Sequence, residues 1–431
     1  MRIIQLTPGS GDNFYCENCL RDLTLVKAMA RAGHDISMVP MYLPIAMDQV
    51  SSAHSAPLFM GGVNVYLQQK FSLFRKTPRW LDAWFDHPEL LKKVGRFSGM
   101  TTARELGKTT VSMLQGADGK QQKEIGRLTN WLEELDEKPD VIIFSNILLA
   151  GLAPTIKEKL KVPVVCLLQD EEGFLDDLPE PFCQQAWELV HEKSRAFDAF
   201  IAVSDYYRDI IVKRLPDMSD RVEVLAMGVD PTAFEPAKQM PEAPTLGYLS
   251  KMSYDHGLDI LINAFHFLRR DNRLENARLR ITGGSGPGDA GFLKKMRRRI
   301  ESLRLTDCIE FAPEYDVQSR QAFLKSLSLT VLPSRVPLGY GLFAIESLAS
   351  GVPFVTPNVG VFSELADKTK GGVLYGPNNP VKLAETLRPL LLEPDKIHRL
   401  GQKGTAAVKK LYSIDSTVKS MAELFSALLS G

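Results

Sequence analysis

One stretch limits the possible folds of this chain more than any other. Residues 329–357 read as a short apolar strand, a turn containing Gly339 and Gly341, a helix, and a second apolar strand. Glycine permits backbone conformations that other residues avoid, so the two glycines can redirect the chain sharply between strand and helix. Apolar residues then recur at helical spacing until Gly351 ends the pattern. The stretch therefore predicts a strand–turn–helix–strand unit of an α/β protein.

The predicted turn is suited to binding an anion. The first N–H groups of a helix have no partner within the helix, and the helix dipole adds positive character at that end. Glu346 follows about one turn into the helix, where a carboxylate can accept hydrogen bonds from the two hydroxyls of a ribose. Phosphate and ribose together indicate a nucleotide. The alternative is an ordinary turn of an α/β protein followed by an exposed glutamate.

Length and charge narrow the class of protein. A chain of 431 residues exceeds one ordinary hydrophobic core, so two domains are expected. Lys plus Arg equal Asp plus Glu at 52 each, and this balance gives no overall field that favours nucleic acid or a membrane. No apolar run approaches the roughly 18 residues of a membrane-spanning helix. We expect a cytoplasmic protein that does not bind nucleic acid.

The cysteines are few and odd in number. Five cysteines favour reduced thiols over a disulfide framework. Cys16 and Cys19 have a C-x-x-C spacing, which occurs in zinc sites and in redox pairs. A structural zinc site needs four ligands, and no second pair supplies the other two. We therefore expect ordinary packing at a helix start and no metal.

The N-terminal part of the chain predicts a parallel sheet. Residues 1–6 form an apolar strand, residues 8–12 a loop containing Gly9 and Gly11, residues 17–31 a helix, and residues 36–39 the next strand. The loop is suited either to close approach of the backbone to a ligand or to a simple tight turn. Further strands are predicted at 141–144, 164–168, 200–203 and 222–225. Asn146, Gln169 and Asp170 follow two of them and should line the carboxyl edge of the sheet.

A second α/β series follows a proline-rich stretch at 231–244, which is the predicted linker. Its strands are predicted at 245–249, 279–282, 309–311, 329–332, 354–356 and 372–375. Lys251 and His256 come just after the first of these strands, at the edge where the nucleotide site is expected. Cations at that edge can neutralise a leaving diphosphate.

Residues 66–97 have a different composition, with seven aromatic residues interleaved with Lys and Arg. Such a mixture suits a peripheral contact with the inner face of a membrane, or an acceptor that is a sugar or is lipid-linked. The alternative is a helical insertion whose aromatic residues form its core.

Several motifs together resemble one family. They are Ala202-Val-Ser204, Met227-Gly-Val-Asp230, the segment from Lys251 to Gly257, Ile281-Thr-Gly-Gly-Ser-Gly-Pro287, Leu332-Pro-Ser334, and Gly339-Tyr-Gly-Leu to Glu346-Ser-Leu-Ala-Ser-Gly-Val-Pro353. They look like those of the retaining glycosyltransferases of the GT-B fold, in the group related to sucrose and glycogen synthases. The resemblance extends over nearly the whole chain and is weakest from about 45 to 135.

The resemblance implies an α/β protein of two Rossmann-like domains facing a central cleft. Residues 1–235 would bind a saccharide or lipid-linked acceptor, and residues 236–412 a nucleotide-diphosphate-sugar donor. A C-terminal helix at about 413–431 would cross back onto the first domain. The family needs no metal and no cofactor. The leaving phosphate is thought to take the acceptor's proton, so the protein supplies positioning and electrostatics.

The resemblance also assigns roles to individual residues. Glu346 matches the second glutamate of the family's paired-glutamate motif, Lys251 stands where the family usually has Arg, and His256 where it usually has Lys. These three form the expected catalytic group. The expected donor-binding residues are Gly9, Gly11, Gly283, Gly284, Gly339, Tyr340, Gly341, Leu342 and Glu346. The acceptor-side candidates remain Asn146, Gln169 and Asp170.

Three departures from the family pattern leave the function open. Leu338 replaces the first motif glutamate, His256 is charged only below its reference pKa of about 6.5, and the usual histidines at strand ends are absent. An active glycosyltransferase with an altered donor pocket is the first hypothesis. A degenerate GT-B protein that binds a sugar, nucleotide or partner without turnover is the second. A third is another enzyme on the same fold, such as a sugar-nucleotide epimerase or a phosphorylase.

Overall fold

A computed structural model describes residues 1–9, 14–41 and 103–431. Two positions of interest from the sequence, Gly11 and the segment 66–97, lie outside the described residues. The chain divides into two compact units. The first comprises Met1–Asp12, Asn18–Leu225 and Val418–Gly431, and the second comprises Asn13–Glu17 and Ala226–Thr417. The second unit thus begins before the proline-rich stretch, and it includes a short piece of the N-terminal region.

The first unit is built on a parallel sheet of six strands in the order β2-β1-β3-β4-β5-β6. The strands are β1 Arg2–Thr7, β2 Asp35–Pro40, β3 Val141–Phe144, β4 Val164–Leu168, β5 Ala199–Ala202 and β6 Val222–Val224. Every residue of β3, β4 and β5 is buried, as expected when helices cover both faces of a parallel sheet. All six strands agree with the sequence prediction to within one residue at either end.

The second unit contains another parallel sheet of six strands, in the order β12-β11-β10-β7-β8-β9. The strands are β7 Thr245–Leu249, β8 Arg278–Thr282, β9 Ile309–Phe311, β10 Leu329–Val331, β11 Phe354–Pro357 and β12 Gly372–Tyr375. These strands were also predicted, and the two sheets confirm the α/β fold class.

Helices connect the strands in both units. Within the described residues, the α-helices are α1 Glu17–Arg31, α2 Ala103–Leu114, α3 Gln122–Glu133, α4 Ala153–Leu160, α5 Glu171–Asp176, α6 Phe182–Lys193, α7 Asp205–Arg214, α8 Leu258–Leu268, α9 Ala290–Ser302, α10 Val317–Lys325, α11 Leu342–Ala349, α12 Phe362–Thr369, α13 Pro380–Leu391, α14 Pro394–Leu411 and α15 Ile414–Ser430. Short 3₁₀ turns are at Gly116–Asp118, Ile147–Leu152, Ser194–Ala196, Pro216–Arg221, Asn272–Leu274, Pro287–Asp289 and Thr306–Cys308. No helix among the described residues is both long and apolar enough to cross a membrane.

The strand orders locate the ligand-binding edge of each sheet. In open α/β sheets, ligands bind beyond the carboxyl ends of the strands, where the strand order reverses direction. In the first unit this point lies between β1 and β3, and in the second it lies between β7 and β10. The loops that follow these strands contain most of the residues singled out in the sequence.

The cysteine prediction is wrong for one pair. Cys16 and Cys19 are disulfide-bonded, whereas Cys166, Cys183 and Cys308 are free. Because the chain has only these five cysteines, the bond joins Cys16 to Cys19. Residues three apart at a helix start are neighbours on its surface, which brings the two sulfur atoms within bonding reach.

Two helical glycines provide a matched test of the packing. A Cβ at Gly401 in α14 would lie 2.1 Å from the carbonyl oxygen of Gly351, whereas a Cβ at Gly126 in α3 would meet nothing within 4 Å. We predict that Gly401→Ala lowers the free energy of unfolding by about 1–3 kcal/mol because the backbones must separate. Gly126→Ala should instead raise it by about 0.5–1 kcal/mol, because alanine is the better helix former. Denaturant unfolding measures both changes, and effects of the same sign would contradict this packing.

Candidate functional site

The loops after β7, β8 and β10 meet at one edge of the second unit's sheet, because these three strands are neighbours. The loop after β7 contains Lys251 and His256, the loop after β8 contains Gly283 and Gly284, and the loop after β10 leads into α11. The fold therefore gathers at one edge most of the donor-binding residues that the sequence predicts in the second half of the chain.

Gly341 redirects the chain at the start of α11. Its φ of 70° and ψ of 43° are left-handed, a conformation that glycine adopts at little cost. A Cβ there would also lie 3.0 Å from Leu365 Cδ1. The Gly341 N–H points away from the helix and donates a hydrogen bond to Glu17 Oε2 at 3.2 Å. This amide is thus positioned to bind an anionic oxygen, and a carboxylate oxygen occupies it.

The neighbours of Gly341 shape the same turn. Tyr340 is buried, and its hydroxyl donates to the Met227 carbonyl oxygen at 2.8 Å, so its side chain anchors the loop. Gly339 precedes it, and Leu342 is buried at the first helical position. Leu338 accepts a hydrogen bond from the Val361 N–H through its carbonyl oxygen. Its apolar side chain offers no hydrogen bond to a sugar.

Glu346 lies one turn further and is only 2% exposed. Its carboxylate is paired with the Arg320 guanidinium of α10, with Nη2 to Oε1 at 2.9 Å and Nε to Oε2 at 3.1 Å. The Tyr15 hydroxyl donates to Oε2 at 3.2 Å. Arg320 Nε also lies 3.2 Å from Oε1. These contacts use the about four lone pairs of the carboxylate, so a ribose hydroxyl would have to take the place of one of them. The sequence prediction of an accessible carboxylate omitted both partners.

The two partners of Glu346, Tyr15 and Arg320, have pKa values shifted by their surroundings. Burial, followed by the nearby carboxylates of Glu346 and Glu17, raises the pKa of Tyr15 well above its usual value. Tyr15 therefore remains a neutral hydrogen-bond donor. Burial lowers the pKa of Arg320, but the charge and hydrogen bonds of Glu346, together with Tyr15 and Asp316, outweigh burial and the pKa is raised. The guanidinium is thus permanently charged, and it stabilises the Glu346 carboxylate.

Lys251 and the glycines after β8 lie close together. Lys251 Nζ is 3.2 Å from Asp289 Oδ2, and the same carboxylate oxygen accepts from the Gly286 N–H at 2.9 Å. Gly283 has a φ of 117°, and a Cβ there would lie 2.2 Å from the Ser250 carbonyl oxygen. The loops after β7 and β8 therefore touch through backbone, and only glycine fits at this contact.

His256 is neutral near pH 7. Its Nδ1 lies 2.8 Å from Ser250 Oγ, which fixes the imidazole ring in the loop after β7. Burial, followed by the Lys251 charge, lowers the pKa of His256 below its usual value. It therefore carries less positive charge at neutral pH than an exposed histidine and can act there through hydrogen bonding.

A short N-terminal segment, residues 14–17, connects these loops. Tyr15 N–H donates to the Gly283 carbonyl oxygen at 2.7 Å, Phe14 forms an isolated β-bridge with Gly284, and the Phe14 ring lies 5.3 Å from Lys251 Nζ. Glu17 and Tyr15 reach Gly341 and Glu346. Residues 14–17 thus contact residues of all three loops and of α11.

The first unit contains a separate polar cluster at the carboxyl edge of β1, β3 and β4. Arg21 is buried and donates to Gln169 Oε1 at 3.0 Å and to the Asp22 carboxylate at 2.9 Å. Asn146 Oδ1 accepts from the Leu148 N–H at 3.1 Å and caps a 3₁₀ turn. The three acceptor-side candidates thus follow β3 and β4 as predicted. The side-chain oxygens of Gln169 and Asn146, however, already accept hydrogen bonds from other groups of the chain.

Two further predicted site residues of this unit, Asp170 and Gly9, also follow strands of the first sheet. Asp170 adopts a left-handed φ of 61° at the start of α5, and Gly9 follows β1 with a φ of 101°. Beside Asp170, Glu171 accepts from the Tyr207 hydroxyl at 2.6 Å. Burial raises the pKa of Glu171, although this hydrogen bond and Arg21 oppose the shift. The edge is therefore polar, ordered and largely internally bonded.

Sequence reasoning missed four residues that shape these sites: Tyr15, Glu17, Arg21 and Arg320. Arg320 pairs with a glutamate 26 positions away and Tyr15 with one 331 positions away, and no local pattern signals such pairs. Arg21 had a weak signal, since a charged residue on the apolar face of a predicted helix needs a buried partner.

Comparison with known proteins indicates the family of the chain. The family model described as "Glycosyl transferases group 1" matches residues 231–407, and the model described as "Glycosyltransferase Family 4" matches residues 117–233. A D-inositol 3-phosphate glycosyltransferase of Streptomyces bingchenggensis is 26% identical over 59% of this chain and 58% of its own length. A glycogen synthase of Mycobacterium tuberculosis is 24% identical over 73% of each chain.

Solved structures share the fold over the full length. Sucrose-phosphate synthase from Thermosynechococcus elongatus superposes with a TM-score of 0.71 over 100% of both chains at 16% identity. HepE of Anabaena in complex with UDP and glucose gives a TM-score of 0.71 over 99% of both chains at 15% identity. At these identities the likeness establishes the GT-B fold.

The buried pair at the site yields a stability prediction. Arg320→Met leaves the Glu346 carboxylate buried without its counter-ion, so we predict a loss of about 3–5 kcal/mol in the free energy of unfolding. Adding Glu346→Leu removes the stranded charge and should restore much of that loss. Lys382→Met, which breaks an exposed pair with Glu385, is the control and should change little. Denaturant unfolding of the four proteins checks this, and a double variant no more stable than Arg320→Met would contradict it.

Proposed function

The chain belongs to the group 1 glycosyltransferases, and on that premise we propose that it transfers a sugar, with retention of configuration, from a nucleoside-diphosphate-sugar to a hydroxyl-bearing acceptor. The observation that carries the proposal is the convergence of Lys251, Gly283 and Gly341 at the switch point of the second sheet. An outward-facing amide at a helix start, with a lysine in the loop of the neighbouring strand, is suited to a diphosphate.

The proposed roles follow from the atoms that each residue presents. The Gly341 N–H and the start of α11 bind diphosphate oxygens, and Lys251 offsets the charge that develops as the diphosphate leaves. Glu346, held by Arg320, accepts from a ribose hydroxyl that takes the place of the Tyr15 hydroxyl. The close backbone contact at Gly283 lets the loops after β7 and β8 approach the donor. Gly9, Gly284, Gly339, Tyr340 and Leu342 shape the surroundings of the donor.

The chemical step needs little from the protein beyond this positioning. As the bond between the sugar and the diphosphate breaks, a leaving phosphate oxygen takes the acceptor's proton on the same face of the sugar. The acceptor oxygen then bonds to the anomeric carbon from that face, which gives retention. His256, neutral near pH 7, contributes a hydrogen bond to the diphosphate. We propose that no metal ion takes part, since Lys251 and the helix dipole provide the positive charge.

The proposed acceptor is a saccharide or another polyhydroxyl compound. Its site is assigned to the carboxyl edge of the first sheet, where Asn146, Gln169 and Asp170 present polar groups. Relatives named for transfer to D-inositol 3-phosphate and for glycogen synthesis are consistent with an acceptor rich in hydroxyls. UDP is the first nucleotide to test, because HepE was solved with UDP and with UDP-glucose.

A second candidate function is binding without turnover. It is favoured by Leu338, which provides no polar contact to the donor sugar, and by the occupation of Glu346 by Arg320 and Tyr15. Such a protein would bind nucleotide weakly and would not hydrolyse a nucleotide-sugar. Nucleotide affinity and slow donor hydrolysis therefore separate the two functions.

We predict that UDP binds the purified chain and that UDP-glucose is slowly hydrolysed to UDP and α-glucose, including in the presence of a chelator. Lys251→Met should weaken UDP binding by about 1.5–3 kcal/mol, the scale of a lost charge-assisted hydrogen bond. Calorimetry measures the affinity, and proton NMR follows the released sugar and its anomer.

The matched control for that substitution is Lys238→Met, at an exposed lysine on the proline-rich stretch. It should leave UDP affinity unchanged. Equal affinity of the Lys251→Met variant and the unsubstituted protein would remove Lys251 from the site. No binding of UDP, or of guanosine, adenosine and thymidine diphosphates, would favour the second candidate.

The pKa of His256 predicts how binding depends on pH. Because that pKa is lowered, the imidazole is neutral at pH 7 and gains its charge only below about 6.5. UDP affinity should therefore rise as the pH falls below that value, and this rise should be smaller in His256→Gln, which corrects for titration of UDP itself. His256→Lys should bind more tightly at neutral pH. Identical pH profiles for the unsubstituted protein and His256→Gln would exclude a contribution from this histidine.

A further inference from the structure

We propose that the Cys16–Cys19 disulfide is a redox-active modification site that controls nucleotide binding, a proposal that rests on the function proposed above. In the disulfide form, residues 14–17 occupy contacts that the nucleotide would make. A dithiol reductant opens the disulfide and releases those contacts.

The two cysteines have the surroundings of a reactive pair. Cys16 immediately precedes α1 and Cys19 lies in its first turn, and both are half-buried and thus within reach of a thiol. A thiolate at a helix start is stabilised by the helix dipole, and C-x-x-C cysteines at such positions commonly have lowered pKa values. Cys166 differs in each respect, because it is fully buried and burial raises its pKa well above the usual value.

The residues adjoining the disulfide take the place of a ligand. Glu17 Oε2 accepts the hydrogen bond of the Gly341 amide at 3.2 Å, the position proposed for a diphosphate oxygen. Tyr15 donates to Glu346 Oε2 at 3.2 Å, the position proposed for a ribose hydroxyl. A carboxylate and a hydroxyl donor of the chain thus imitate the two halves of the nucleotide that the site would bind.

The disulfide fixes the residue that makes the first of these contacts. Glu17 lies between Cys16 and Cys19 in the sequence and is the first residue of α1. The covalent bond closes a ring that includes the Glu17 backbone, and this limits the ways in which the first turn can loosen. Without it the turn is held by hydrogen bonds alone, and helix ends with unsatisfied N–H groups fray readily. Reduction therefore makes Glu17 and Tyr15 easier for a nucleotide to displace.

The exchange is a balanced two-electron reaction. A thiolate of the reductant attacks one cysteine sulfur, the Cys16–Cys19 bond breaks, and a mixed disulfide forms. The second thiol of the reductant then displaces the remaining cysteine. The products are two cysteine thiols and the oxidised, disulfide form of the reductant, and the cysteines take up the two protons.

The test compares UDP affinity in the oxidised and the dithiothreitol-reduced full-length protein by calorimetry, with alkylation and mass spectrometry to count thiols. We expect three alkylated thiols before reduction and five after it, and a Kd for UDP about tenfold lower in the reduced form. Glu17→Gln should lower the Kd of the oxidised form to a similar degree, because the competing charge is gone. Glu188→Gln, at an exposed position of α6, is the control and should not.

Two cysteine variants assign the effect. Cys16→Ser/Cys19→Ser should bind UDP as the reduced protein does, with or without reductant, whereas Cys183→Ser should keep the full response. Thermal unfolding verifies that each variant is folded. If both redox forms bind UDP with the same Kd, the redox proposal is overturned and the proposed function stands. If neither form nor Glu17→Gln binds any nucleoside diphosphate, the proposed function itself fails and the redox control fails with it.

Discussion

The left-handed backbone at Gly341 is the constraint on which the site depends. A side chain at this position would both strain the backbone, whose φ is 70°, and press against Leu365. With glycine, the chain leaves β10, reverses, and starts α11 with an amide directed away from the helix. The same turn sets the position of Glu346 one turn later. The amide proposed to bind a diphosphate oxygen and the carboxylate proposed to bind ribose are thereby fixed relative to each other by a single residue.

The candidate site also depends on a buried pair of opposite charges, Glu346 and Arg320. Glu346 and Arg320 are 2% and 3% exposed, so neither is stable there without the other. The pair orders α10 against α11, and Tyr15 adds a neutral donor from the N-terminal segment. In water such a pair would contribute little. Away from water it fixes the direction in which the carboxylate accepts hydrogen bonds, which is what recognition of a ribose requires.

Much of the fold could be predicted from the sequence because it depends on local patterns. Short runs of three to six residues predicted all twelve strands, and glycine with helical spacing predicted α1 and α11. The carboxyl-edge rule then placed Lys251 beside the turn at Gly341, whereas Gly283 was identified through the family resemblance. Partners distant in sequence escaped prediction. Arg320 and Tyr15 reach Glu346 through the tertiary fold, and nothing in their own neighbourhoods distinguishes them from other arginines and tyrosines.

The cysteine pair shows the limit of reasoning from counts. An odd number of cysteines favours free thiols for a chain as a whole, but two cysteines three residues apart at a helix start are close whatever the total. The local geometry prevailed over the composition. The same disulfide adjoins Glu17, which the sequence analysis did not identify. The Glu17 carboxylate accepts the hydrogen bond of the Gly341 amide.

A crystal structure of the reduced protein with UDP bound would show whether this edge of the second sheet is the nucleotide site. We expect β-phosphate oxygens within hydrogen-bond distance of the Gly341 N–H and Lys251 Nζ, ribose hydroxyls on Glu346, and the Glu17 carboxylate displaced from the amide. A nucleotide bound away from α11, with Glu17 still on Gly341, would contradict this expectation.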